Sequence, residues 1–284
     1  YADGMVLNIT GPENEAVAEI ADVTRTALAK LEGALGMEVS RCRTPWKTDL
    51  KSKSVGVGSS KSARAKLEPA LRSVGMKTTK RVSNLGVDFT TGGKLCRVTQ
   101  KARLATIARR MGRYIKLGAK AGSHVLRTGG IASIRHGVGV VGLTETAMRR
   151  VNRWTCRARG RMGGRSSFAR LSLSRFNPGH MLFLDPLRMW ARSVWDATLP
   201  KHIRIAAWFN ARETVGQDGA AMADAEGAAG VYMAVLKFLG WKAPGAETIE
   251  TEAGTVINLN ETCPATVAKM AEQRMDELDA ESSK

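Results

Sequence analysis

Residues 1–10 read Tyr1-Ala-Asp-Gly-Met-Val-Leu-Asn-Ile-Thr10, and from them we predict how the first third of the chain folds. An Asp-Gly pair is a common tip of a tight β-turn, and the residues after it alternate between apolar and polar, as in a strand. The pattern therefore predicts a hairpin whose crest carries Asp3 and Gly4.

A helix is predicted directly after this hairpin. Thr10-Gly-Pro-Glu13 has the spacing of a capping box, with Thr10 at the N-cap and proline in the first turn. Gly36 is the residue type that commonly ends a helix. The predicted inward face comprises Val17, Ile20, Thr24, Ala27, Leu28, Leu31 and Leu35.

Strands and helices alternate up to about residue 95. Ser54–Gly58 and Arg81–Phe89 are rich in β-prone residues, and the amphipathic segment Lys61–Val74 lies between them. Glycines in Thr90–Lys94 predict a turn. This order indicates a small layer of helices and strands, and hence the α+β fold class.

The pattern then becomes helical, with basic residues on the outward faces. Thr99–Leu117 has an inward face formed by Leu104, Ile107, Ala108, Met111 and Ile115, and an outward face formed by Lys101, Arg103, Arg109, Arg110, Arg113 and Lys116. Thr144 is predicted to cap a helix that runs to about Arg159. Its basic residues are Arg149, Arg150, Arg153, Arg157 and Arg159.

Glycines in Gly118–Gly130 predict a break in the helical pattern, and Gly160–Arg165 predicts a loop. Further helices are predicted over Leu182–Trp195 and Arg204–Phe209. The last predicted helix starts near Pro264, with an inward face formed by Val267, Met270, Ala271, Met275 and Leu278.

The charge is strongly segregated along the chain. Residues 1–40 have a net charge of −5, residues 41–212 of +31 and residues 213–284 of −8. Between Thr99 and Lys201 only Glu145, Asp185 and Asp196 are acidic, so most basic side chains there have no acidic neighbour for an intrahelical salt bridge. This middle block favours contact with nucleic-acid phosphates over a merely solvated surface. The six tryptophans could stack on bases, but positions on apolar helix faces favour a core role for most of them.

No membrane span is predicted, because no stretch approaches 18 uncharged apolar residues. The four cysteines lie more than 50 residues apart without a CxxC pair, which favours a reducing compartment and excludes a zinc finger. We therefore expect an intracellular protein, cytoplasmic or nuclear. A first residue of Tyr without a signal pattern favours a chain cut from something longer.

Five short motifs follow one another: Tyr1-Ala-Asp-Gly4, a capped helix ending at Leu35-Gly36, Lys53-Ser54, Ser59-Ser60, and Asn84-Leu-Gly-Val-Asp-Phe89. Their order resembles the reverse transcriptases of non-LTR retrotransposons over about residues 1–90, and more loosely to residue 160. The resemblance implies a partial polymerase palm, formed by a hairpin and helices on a small antiparallel sheet, and then a helical thumb. It divides the chain into a partial palm with the primer grip (1–95), a basic helical thumb-like region (96–165), a helical connection region (166–243) and an acidic C-terminal tail with a helix (244–284).

By this resemblance, Asp3 corresponds to a metal-binding aspartate and Tyr1 lies beside the primer terminus. Asp3 and Lys53 are the implied catalytic residues, since Lys53 corresponds to a lysine near the incoming nucleotide. The strand that positions the 3′ end of the primer corresponds to Asn84, Leu85 and Gly86. The basic residues from Lys101 to Arg157 would follow the backbone of the template–primer duplex.

The implied activity is that of an RNA-directed DNA polymerase, a nucleotidyltransferase that extends a DNA primer on an RNA template with Mg²⁺. A carboxylate on a rigid turn is a suitable magnesium ligand. This chain departs from the family in two respects: Gly4 replaces the second aspartate, and the fingers with the other metal-binding aspartate are absent. We expect a fragment that is inactive alone and lacks N-terminal fingers and, as in some family members, a downstream nuclease domain.

Two other functions are open at this point. A non-catalytic basic RNA-binding protein explains the charge equally well, but it does not explain the order of the elements. Gly56-Val-Gly-Ser-Ser-Lys-Ser62 lies between a strand and a helix, as a phosphate loop does, but Ser60 stands where that loop needs glycine. The end of a strand and the start of a helix is the better interpretation of this stretch.

Overall fold

The computed structural model describes residues 12–34, 55–57, 61–79, 81–84, 87–90, 96–160, 177–215, 221–225 and 227–281. The chain divides into two compact units: residues 1–82 with 89–92, and residues 83–88 with 93–284. Helices dominate, and small sheets accompany them, so the fold class is α+β. Within the described ranges, no helix combines the length and the apolarity needed to cross a membrane.

In the smaller unit, α1 (Glu13–Ala29) continues into a π-helical turn at Lys30–Ala34. The helix begins directly after Pro12, whose extended backbone makes it the N-cap, and no side chain caps it. The expected cap at Thr10 is therefore wrong by two positions. The expected inward face is confirmed at Thr24 and Leu28, which are buried, while Leu35 lies outside the described residues.

Two short strands flank the second helix. They are β1 (Val55–Val57) and β2 (Lys77–Thr79), and α2 (Lys61–Ser73) lies between them. The strands pair in parallel, which corrects the antiparallel sheet implied for this region. The pairing is parallel because α2 forms a crossover connection, which returns the chain to the same end of the sheet before β2 begins.

Gly56 in β1 packs against α2. A Cβ at this position would lie 2.1 Å from Leu71 Cδ1, so any larger residue would require the Leu71 side chain to move. This contact supports the structural interpretation of the glycine-rich stretch over a phosphate loop.

The segment that the sequence presents as one strand, Arg81–Phe89, is divided. It forms β3 (Arg81–Asn84) and β4 (Val87–Thr90), which pair with each other in a two-stranded sheet. The single strand was thus a wrong prediction, because Leu-Gly in its middle interrupts an otherwise β-prone run.

The larger unit begins with a group of helices. These are α3 (Val98–Lys116), α4 (Gly118–Val125), a π-helical turn (Leu126–Ile131), α5 (Ala132–Arg135), α6 (Val138–Val141) and α7 (Glu145–Ala158). Of the glycines expected to break this region, Gly118 does end α3, with φ at 79°. The chain then stays helical up to Arg135, so the extended break was a wrong prediction.

The rest of this unit contains five helices and one sheet among the described residues. The helices are α8 (Pro178–Phe183), α9 (Asp185–Trp195), α10 (Lys201–Val215), α11 (Gly227–Phe238) and α12 (Pro264–Glu281). The strands β5 (Lys242–Gly245), β6 (Thr248–Glu250) and β7 (Val256–Asn258) form an antiparallel sheet in that order. The predicted C-terminal helix is confirmed, the helix predicted over Leu182–Trp195 is broken at Leu184, and the sheet was not predicted.

The core of the larger unit is built around α11, which is buried along its whole middle from Ala229 to Leu236. Helices α6, α9 and α10 pack against it. Trp190 of α9 stacks on Tyr232, with ring centroids 5.0 Å apart, and its Nε1 donates to the Ala246 carbonyl at 2.8 Å. The core role expected for tryptophan is confirmed at Trp154, Trp190, Trp208 and Trp241, which are all buried.

Acidic residues of α12 contact α8 and α9. Asp276 Oδ1 lies 3.6 Å from His180 Nδ1, and Asp279 Oδ2 lies 3.0 Å from His180 Nε2. Glu272 forms an ion pair with Arg188. Part of the acidic C-terminal charge is therefore used inside the larger unit.

Candidate nucleic-acid interface

Helix α3 has one apolar face and one basic face. Its buried residues Leu104, Ile107, Met111 and Tyr114 recur every three or four positions and pack into the core. The predicted inward face is wrong at Ala108 and Ile115, which are exposed, and Tyr114 is buried instead. The opposite face carries Arg109, Arg113 and Lys116 at i, i+4 and i+7, and Lys101 and Arg110 flank it.

Helix α7 repeats this arrangement. Thr144 caps its start, and its Oγ1 accepts a hydrogen bond from the Ala147 amide at 3.4 Å, as predicted. Its buried face includes Val151 and Trp154. The exposed face opposite them carries Arg149, Arg150, Arg153 and Arg157.

The basic side chains on these two faces have almost no acidic neighbours. Residues 96–160 contain fifteen Lys or Arg and a single acidic residue, Glu145 in the first turn of α7. Among the described residues, the Arg109 side chain has one partner, Thr106 Oγ1, at 3.3 Å. In the part of the chain that the structure describes, no hydrogen-bond or ion-pair partner exists for the side chains of Lys101, Arg110, Arg113, Lys116, Arg149, Arg150, Arg153 or Arg157.

Three other arginines of the same segment have structural roles. Arg97 donates to the carbonyls of Val141, Met222 and Ala223, and burial lowers its pKa more than Asp224 raises it. Arg135 pairs with Asp185 at 3.1 Å. Arg103 was predicted on the nucleic-acid face, but it is half-buried and donates to the His136 carbonyl at 2.7 Å. These three side chains therefore contribute less to an open basic surface than the exposed set does.

The last turns of α3 and α7 meet beside α4. A Cβ at Gly122 would lie 2.0 Å from the Tyr114 carbonyl oxygen and 3.7 Å from that of Ala158. Lys116 and Arg157 belong to these last turns. The C-terminal ends of both basic helices therefore lie at one end of a three-helix group.

The start of α3 is held by a residue that the sequence did not reveal. Asp88 is buried, and its two carboxylate oxygens accept from the Thr99 amide at 2.6 Å and from Thr99 Oγ1 at 2.7 Å. A carboxylate at this place also fits the positive end of the helix dipole. Gln100 adds a bond from its Nε2 to the Gly142 carbonyl at 2.6 Å. In the sequence, this role is indicated only by the position of Asp88, a lone acidic residue in a β-prone segment shortly before a helix.

Most of the residues predicted to take part in polymerase chemistry lie outside the described part of the chain. Tyr1, Asp3, Lys53, Leu85 and Gly86 lie outside the described residues. Asn84 is the last residue of β3, and only its backbone is described. Among the described residues, no group of three or more His, Cys, Asp or Glu side chains could hold a metal ion. Magnesium binding by Asp3 therefore stays a prediction.

The exposed basic faces of α3 and α7 are thus the part of the predicted site that the structure describes, and the two helices contact each other. The sequence matches no family model, and no curated protein or solved structure matches the chain.

Proposed function

We propose that this chain binds the sugar–phosphate backbone of nucleic acid through the exposed basic faces of α3 and α7. The observation that carries the proposal is the set of exposed cations on these faces without acidic partners among the described residues. Basic side chains contact phosphates without reading sequence, so we expect tight binding, strong salt dependence and little sequence preference.

Repulsion within each face supports a polyanionic partner. Arg149 and Arg153, like Arg153 and Arg157, are separated by four positions on α7, where like charges destabilise a helix by about 0.2–0.5 kcal/mol per pair. The same spacing occurs between Arg109 and Arg113 on α3. Bound phosphates would offset this repulsion, because each cation would then lie beside an anion.

Within this proposal, the bound duplex is the RNA–DNA template–primer of a retroelement reverse transcriptase, of which this chain is the C-terminal portion. Support comes from the resemblance over residues 1–90 and from the order in which strands at 81–90 precede basic helices at 98–158. In the intact polymerase, Asn84 to Gly86 would position the primer and Asp3 would help to hold Mg²⁺. The chain alone would bind the duplex without extending it.

The second candidate is a non-catalytic RNA-binding protein. The parallel pairing of β1 and β2 favours it, because the reverse-transcriptase resemblance implies an antiparallel sheet there. Both candidates use the same basic faces, and they differ in the preferred ligand.

The basic faces are tested by a double substitution on α7, Arg153→Gln with Arg157→Gln. A matched control, Lys242→Gln with Lys269→Gln, removes two exposed cations from the acidic C-terminal region. Affinity for a labelled duplex is measured at several salt concentrations. We expect the α7 variant to bind about tenfold more weakly and its log–log salt slope to fall by roughly 1.8, while the control stays near the parent. A flat salt response of the parent, or equal losses in both variants, would refute the proposal.

The two candidates are separated by competition. An RNA–DNA hybrid should displace a bound probe at lower concentration than single-stranded RNA of equal length if the template–primer assignment holds. A preference for single-stranded RNA would favour the non-catalytic RNA-binding protein. A second test restores Gly4→Asp in a chain of full polymerase length and measures primer extension, where no gain over background counts against the catalytic lineage.

A further inference from the structure

Large apolar side chains are exposed in an unusual concentration around α10. The described residues include eleven exposed large hydrophobics, and six of them fall between positions 189 and 209. They are Met189, Trp195, Leu199, Ile203, Ile205 and Phe209. Single exposed apolar residues are ordinary, but a cluster of this kind marks an interaction surface.

One row on α10 organises the middle of this surface. Lys201, Ile205, Phe209 and Glu213 follow at intervals of four, and all four are exposed. The stripe of Arg204, Trp208 and Ala211 is buried and packs toward the core. The exposed row is therefore an i±4 ridge of the kind that packs against another helix.

The residues of this ridge are, in order, basic, apolar, apolar and acidic. When the ridge lies antiparallel to a copy of itself, each basic residue therefore faces an acidic one and each apolar residue faces an apolar one. An antiparallel second copy, related by a twofold axis that passes between the two helices at the level of Ala207, would place Lys201 opposite Glu213 and Ile205 opposite Phe209. The exposed residue beside this axis, Ala206, is small and permits a close approach. Such symmetric, self-complementary contacts are typical of twofold dimers.

The charges around the ridge favour a second copy over nucleic acid. Arg192 is paired with Asp196 at 3.0 Å, and Arg212 lies over the Trp208 ring at 5.2 Å from its centroid. Lys201 contacts Glu247 at 3.5 Å, but its ammonium has three donors and is largely exposed. A phosphate backbone would also be repelled by Glu213, which ends the ridge.

We propose that α10 forms an antiparallel homodimer contact along the ridge Lys201–Ile205–Phe209–Glu213. Its apolar centre would bury Ile205 and Phe209 of both copies, and the two Lys201–Glu213 pairs would fix the antiparallel direction. The contact involves none of the basic residues assigned to phosphate binding, so it goes beyond the proposed function and can stand or fall independently of it.

The test measures the dimer dissociation constant of the full chain by sedimentation velocity, after nuclease treatment to remove bridging nucleic acid. Glu213→Lys places like charges at both symmetric contacts and should weaken the dimer by at least about tenfold. The control Glu19→Lys reverses an exposed charge on α1 and should leave the dissociation constant unchanged. Circular dichroism checks that each variant is folded.

A mixing experiment makes the direction of the contact testable. Lys201→Glu alone should also dissociate, whereas its mixture with Glu213→Lys should form a heterodimer of near-parental affinity, since every contact then joins opposite charges. Phe209→Ser should weaken the dimer more than the control Val256→Ser on β7. A monomer at all concentrations, association that disappears with nuclease, no rescue on mixing, or equal effects of target and control variants would each overturn the proposal.

Discussion

Tyr232 lies in the centre of the larger unit with its side chain fully buried, and its hydroxyl has no hydrogen-bond partner among the described residues. Burial raises the pKa of the phenol, because the charged form would lose its hydration. The ring stacks on Trp190 at an interplanar angle of 11°. The ring therefore stabilises the core, while the unpaired hydroxyl destabilises it.

Replacing the hydroxyl by hydrogen should thus stabilise the protein. We expect Tyr232→Phe to raise the free energy of unfolding by about 1 kcal/mol, since the desolvation penalty is removed and the stacked ring is kept. Tyr232→Leu, which loses the ring, should lower it by about 2 kcal/mol. Urea denaturation at neutral pH measures both values. A loss of stability in Tyr232→Phe would show that the hydroxyl has a partner.

Elements of the larger unit are joined by charged hydrogen bonds as well as by apolar packing. Glu247, in the turn between β5 and β6, accepts from Arg204 of α10 at 2.7 Å and from Asn260 at 3.1 Å. The bond from Arg204 is the largest influence on this carboxyl, and its pKa is lowered despite the opposing effect of burial. The start of α10 is therefore tied to the sheet by an ionised group.

The contribution of the Arg204–Glu247 hydrogen bond to the free energy of unfolding should depend on pH. Because the folded-state pKa of Glu247 is lowered from 4.5, its contribution is complete above that value and is lost as pH falls through the folded-state pKa. Glu247→Gln should therefore be less stable than the parent at neutral pH, and the difference should vanish in acid. Urea denaturation across this range measures the difference, with Glu19→Gln on α1 as the control. A difference that persists unchanged in acid would contradict the assignment.

The elements that could be predicted from sequence are those with local signals. Helices α2, α3, α7 and α12 begin within about one residue of their predicted starts, because caps and apolar periodicity are properties of neighbouring residues. The basic faces of α3 and α7 were predicted for the same reason. Whether those cations had acidic partners depended on the folded neighbourhood, and sequence spacing could only suggest it.

Other features depended on contacts between distant residues. The strands β5, β6 and β7 have only three or four residues each, too few for a clear alternating pattern. Asp88 caps a helix that begins ten residues later, which no local capping rule anticipates. The parallel pairing of β1 with β2 followed from the path of α2 and not from either strand.

At the scale of the whole molecule, acidic residues of the C-terminal region pair with basic residues that lie outside the basic faces of α3 and α7. On the described acidic helix α12, Glu272 pairs with Arg188, and Arg274 takes up Glu277 and Glu281. Within residues 96–160, Arg135 pairs with Asp185, and most of the net charge of +14 is left to repel itself.

Relief of this repulsion should stabilise the protein. At low ionic strength we expect heparin, a polyanion, to raise the thermal midpoint by several degrees, since a ligand at about 100 times its dissociation constant adds roughly 2.7 kcal/mol. Uncharged dextran at equal mass concentration is the control, and scanning fluorimetry is the measurement. An unchanged midpoint with heparin would argue against an unneutralised basic surface.

The close packing of Gly122 against the Tyr114 carbonyl oxygen makes this position sensitive to substitution. Even alanine there would bring a methyl group to 2.0 Å from the Tyr114 carbonyl oxygen, so the helices must separate. The arginines would all remain, but the ends of α3 and α7 that pack beside Gly122 would be displaced. A random library screened for loss of RNA retention should therefore return hits at this uncharged codon as readily as at the arginine codons.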